Sequence, residues 1–131
     1  MRRCAIDHER VKRELNEAEF DLLSAKESLR TSDMKWAIVK GYFSMFHACK
    51  SLIYSAGYDE HSHDCLVIAV EELFTEKGLI PDEIIRNFRN AKTARESADY
   101  GLTYGEATAR GVICDAEKAF LVISAYHATR S

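Results

Sequence analysis

At 131 residues, 47% of them hydrophobic, the chain is long enough to bury a core without disulfides or a structural metal, and it is read as a single domain over 1–131. Its 18 basic residues against 21 acidic ones leave a formal net charge of −3, which excludes attraction of nucleic acid or membrane by bulk charge; any such partner has to be met by a local patch. The opening MRRCAIDHERVKRELNEAEF turns charged where a signal peptide turns apolar, and no apolar run reaches membrane-spanning length, so a soluble, cytoplasmic protein is expected.

The predicted elements are helices. Val11, Leu15, Ala18, Leu22, Ala25 and Leu29 step by four and three, on one face of a first helix from about 8 to about 30. TSD at 31–33 supplies caps for a second helix, from about 33 to about 56, ended by AGYDE. On that helix Lys40, Ser44, His47, Ser51 and Ser55 fall within a sector of roughly 80°, while Tyr42, Met45, Phe46, Cys49, Leu52 and Ile53 cover the opposite side. This is the pattern of a central helix with one polar line. The line reads either as a narrow solvent face left between three neighbours or as the lining of a cleft or subunit interface. His47 does not choose between them, because a lone histidine beside a core is usually satisfied by a neighbour.

A third helix opens at Ser62 or His61, runs through CLVIAVEELFTEK and closes at Gly78. Within HSHDC, His61 and His63 are metal-binding types, but two apart they point to different sides of a helix and no second cluster supplies ligands. The segment is read as a capped start, with no metal and no cofactor expected. Pro81 sits where a first helical turn tolerates it and begins a fourth helix to about Tyr100. After GLTYG, Val112, Ile113, Ala116, Phe120, Ile123 and Tyr126 form the stripe of a fifth. With short connections and no repeat or linker, the sum is an all-α, five-helix antiparallel up-and-down bundle. Cys4, Cys49, Cys65 and Cys114 form no C-x-x-C pair and read as reduced, mostly buried thiols. There is no phosphate-binding glycine loop and no nucleophile elbow, so triphosphate hydrolysis and acyl transfer have no support.

The fourth helix carries the sharpest misfit. Ile84, Ile85, Phe88, Ala91, Ala94 and Ala98 share a broad face, opposite Arg86, Asn90, Thr93 and Ser97, and Arg95 falls inside the apolar face. A guanidinium there needs a partner, and Asp99, four residues on, can accept from it. The pair is either a structural tie or a functional arginine in a cleft whose fork of donors takes a phosphate.

YFSMFHACKSLIYSAGY, then His63, then GLI, and finally RESADYG resemble the HEPN domain (higher eukaryotes and prokaryotes nucleotide-binding). The likeness is closest to its small prokaryotic branch, with a Y-Y-x-M-F-H second helix and an R-x-x-A-D-Y-G ending of the fourth, and runs from about Glu14 to Ala125. The resemblance implies a five-helix bundle that commonly pairs as a homodimer, often encoded beside a minimal nucleotidyltransferase as a toxin–antitoxin pair. In some relatives a tyrosine near the motif receives nucleotidyl groups from that partner enzyme, which makes Tyr100 the candidate here.

The family's catalytic members are metal-independent ribonucleases with an arginine followed, after four to six residues, by a histidine. Here Arg95 is followed by Glu96, Ser97, Ala98, Asp99, Tyr100, Gly101 and Leu102, without a histidine. Cleavage by the RNA 2′-hydroxyl needs a group that exchanges a proton near neutral pH as well as one that stabilises charge on phosphorus. Arg95 supplies only the second, and Asp99 beside it is a weakened base. His47 and His63 are the possible substitutes from other helices. Two readings follow: a non-catalytic module in which Arg95, Asp99, Tyr100, Lys40 and His47 hold a nucleotide, RNA or a partner protein, and, as the alternative, a ribonuclease toxin using Arg95 with a histidine from elsewhere.

Overall fold

A computed structural model describes residues 2–101 and 104–130. Asp7 caps the first helix, α1 (His8–Arg30), its carboxylate accepting from the Glu9 amide. Asp33 does the same for α2 (Met34–Ser55), accepting from Trp36, and Ser62 for α3 (His63–Val70), accepting from Cys65. α3 does not run on to Gly78 as one α-helix. Its last stretch widens into a π-helical turn over Glu71–Thr75, and Gly78, with φ +71°, ends the segment in the left-handed conformation that glycine adopts without strain. Pro81 stands just before α4 (Asp82–Asp99) as its N-cap rather than within its first turn. α5 (Glu106–Ala128) follows a connection whose Leu102 and Thr103, part of the GLTYG segment, lie outside the described residues.

The five helices form the expected antiparallel bundle, with α2 at its centre against α1, α4 and α5. Ala37, Ile38, Met45, Ala48, Cys49 and Leu52 of α2 are fully buried. At Gly41 the helix comes so close to α5 that a Cβ would lie 2.8 Å from Val112 Cγ1. Among the described residues there is one small sheet, in which β1 (Arg2–Arg3) pairs antiparallel with β2 (Tyr58–Asp59). Asp59, 5% exposed, anchors it, paired with Arg2 and Arg10 at 3.5 and 3.3 Å. Of the cysteines only Cys49 is buried, its thiol pushed up to about 12 by burial, while Cys65 and Cys114 are exposed, contrary to the expectation for them. No helix among the described residues is long and apolar enough to cross a membrane.

Among the described residues α1 and α4 scarcely touch. The strip of α2 between them, Phe43, Phe46 and His47, is therefore covered only in part. That opening positions the site.

Candidate functional site around Arg95

The polar line of α2 is neither a solvent face nor an open cleft. It is mainly the seam with α1. Ser44, fully buried, donates to the Ala18 carbonyl at 2.8 Å, and Lys40 Nζ donates to Ser28 Oγ at 2.8 Å. His47 Nδ1 lies 2.6 Å from Glu14 Oε2, and its Nε2 lies 3.6 Å from Asp21. Ser51 donates to the Ala48 carbonyl and meets His127 of α5, and Ser55 turns back on Leu52. A stripe of serines lets α1 approach closely while every hydroxyl keeps a partner. Lys40 and His47 are thereby committed to α1.

Arg95 lies on the other flank of α2. Its guanidinium carbon sits 5.1 Å from the Tyr42 ring centroid and 4.8 Å from that of Phe43. The apolar setting read from the sequence is thus an aromatic platform that attracts the cation through the ring faces. Its Nε donates to Asp99 Oδ2 at 3.3 Å, but the two side chains are 35% and 42% exposed, so this is a screened helix-surface pair and not a buried tie. The remaining N–H groups of the fork meet no other carboxylate among the described residues.

His63 joins the cluster through Tyr42. The Tyr42 hydroxyl lies 3.1 Å from His63 Nδ1, and the imidazole stacks on Tyr42 and packs 4.5 Å from Phe88. Burial pushes the Tyr42 phenol up, opposed by Arg95. Burial, then the charge of Lys92, pushes His63 below its ordinary 6.5 and leaves it neutral at pH 7. His63 also borders a depression of about 420 Å³ with Arg89, Lys92 and Glu96 along α4. Lys92 and Arg89 are paired there with Asp64 and Glu71.

A family profile for the HEPN domain matches residues 11–125. The chain belongs to the HEPN family. Among solved structures it is similar to TT1696 from Thermus thermophilus, with a TM-score of 0.77 and 17% identity over 89% of this chain and 98% of that one. At that identity the likeness concerns the fold alone. No curated protein matches the chain.

In this HEPN bundle the predicted residues divide. Arg95, Asp99 and His63 gather about Tyr42, and Tyr100, 78% exposed, stands just past the end of α4. Lys40 and His47 do not join them. Sequence reasoning missed the platform itself, having assigned Tyr42 to the core face and given Phe43 no role. The available signal was the pairing of an aromatic dipeptide on one helix with an unexplained arginine on another. His61 and His63 indeed diverge, one toward Asp59 and the other toward Tyr42.

Proposed function

We propose that this HEPN protein is a binding module in which Arg95, resting on Tyr42 and Phe43, takes a phosphate of RNA or of a nucleotide. It works as a homodimer paired with a minimal nucleotidyltransferase in a toxin–antitoxin type system, and the exposed Tyr100 hydroxyl is the group that partner would modify. The observation that carries the reading is the state of Arg95. It is oriented by two rings and one carboxylate contact through Nε, it is a third exposed, and no second carboxylate among the described residues takes the rest of its fork. A planar guanidinium held this way is suited to bidentate contact with phosphate oxygens. The test is a fluorescence-anisotropy titration of labelled single-stranded RNA and of a labelled adenosine triphosphate. Arg95→Ala is expected to weaken the ligand that binds by about tenfold or more, and Arg95→Lys to restore it only in part. Equal affinity of wild type and Arg95→Ala for both ligands contradicts the proposal.

One observation favours ribonuclease action as a second reading: Tyr42 links neutral His63 to Arg95, placing a proton acceptor and a cation on one ring. A second proton-exchanging group is missing from that pair, so the purified protein is expected not to cleave RNA. Chelator-resistant cleavage lost in His63→Ala establishes the second reading instead.

A further inference from the structure

Another hollow opens where α1 begins and α5 ends. It has a volume of about 750 Å³ and reaches Ser55, at the end of α2, roughly 18 Å along that helix from Phe43. Its apolar wall is formed by Ile6, Val11 and Leu15, and Lys12 and Arg130 stand in the lining without any carboxylate side chain among its residues. Neither cation has a carboxylate partner among the described residues. Arg130 instead lies 4.5 Å over the Tyr126 ring and donates to the Thr129 hydroxyl.

Farther in, the geometry defines an acceptor. Ser51 donates its one hydroxyl hydrogen to the Ala48 carbonyl at 2.6 Å, so its oxygen accepts from His127 Nε2, 2.9 Å away. A neutral His127 then carries its proton on Nε2 and leaves Nδ1 as a bare acceptor. Burial favours that neutral form. The hollow thus combines an apolar wall, a hydrogen-bond acceptor and two cations with no carboxylate partner among the described residues, in a volume within the range of about 300–1,000 Å³ usual for small-molecule sites.

We propose that this groove binds a small amphipathic carboxylate, its apolar body against Ile6, Val11 and Leu15 and its head met by Lys12 and Arg130. The two cations, with no carboxylate partner among the described residues, select a negative head, and the lack of a carboxylate side chain in the described lining removes the repulsion that would oppose it. The site is separate from the Arg95 platform and does not depend on the reading given to it.

The test is a calorimetric titration of the full chain with decanoate, decanol and decyltrimethylammonium, each below its micelle concentration. Decanoate is expected to bind saturably, one per chain, with a Kd below about 1 mM, and the other two about tenfold more weakly or worse. Lys12→Glu with Arg130→Glu is expected to reduce decanoate affinity by about tenfold, and so is Ile6→Asp, a change at an exposed position that leaves the core intact. Arg95→Ala leaves it unchanged. Equal binding of decanol and decanoate, unchanged affinity in the charge-reversed variant, or no saturable binding overturns the proposal.

Discussion

Arg95 and His47 are both polar side chains set against aromatic or apolar neighbours, yet they answer to different physics. Arg95 is partly exposed, so its pair with Asp99 is screened and its platform contributes a modest cation–π attraction. Arg95→Ala should therefore cost only about 1 kcal/mol in a denaturant melt, and a loss near 3 kcal/mol would show a structural strut instead. His47 is more enclosed and faces Glu14 and Asp21, themselves 16% and 20% exposed. The Glu14 hydrogen bond, against the cost of burial and with the charges of Glu14, Asp21 and Glu17, raises His47 above its ordinary 6.5. A base raised on folding contributes stability that is fully present below its unfolded pKa and is lost as pH rises through the folded one. His63 and His127, both lowered by burial, act oppositely: their contribution is present above 6.5 and is lost as pH falls through their folded values. The urea midpoint should fall on both sides of neutrality. In His47→Ala the alkaline fall should flatten, with a loss of about 1–3 kcal/mol at pH 6 from carboxylates left without their partner. An unchanged alkaline limb contradicts the assignment.

The order, type and approximate span of the helices were legible because periodicity, Asp and Ser caps and the punctuation at Gly78 and Pro81 all act locally. What was not legible depended on which neighbour each face meets. The line from Lys40 to Ser55 looks the same in one helix whether it faces water or α1, and only the Ser44 bond to the Ala18 carbonyl, 26 residues away, distinguishes them. The site was half legible for the same reason. Arg95 and Asp99 are four apart on one helix, whereas Tyr42, His63 and Arg95 come from three. The π-turn at Glu71–Thr75 has no pattern of its own in a run that reads as ordinary helix. Gly41 tests the packing of elements directly. Alanine there gains about 1 kcal/mol of helix propensity, but its Cβ meets stiff Val112, an overpacking that typically costs about 1–3 kcal/mol. A net loss is expected in the melt of Gly41→Ala, and Gly41→Ala with Val112→Ala should relieve the clash. A stabilised single variant would show that α2 and α5 are not held this close.

For the whole molecule, a bundle whose central helix shows partly covered aromatics between α1 and α4, with Ile68 and Trp36 54% and 50% exposed, has apolar surface available to a partner. We expect a twofold dimer using parts of α2 and α4 and burying more than about 1,000 Å². A monomer in sedimentation equilibrium at concentrations of about 10–50 μM contradicts it. The central claim is that the fork of Arg95 is a phosphate contact, and side-chain NMR tests it most directly. On titration with short single-stranded RNA or adenosine triphosphate, the Arg95 Nε–Hε resonance should shift saturably, together with signals of Tyr42 and Phe43. Saturable binding that moves resonances elsewhere and leaves Arg95 Nε–Hε in place contradicts the account.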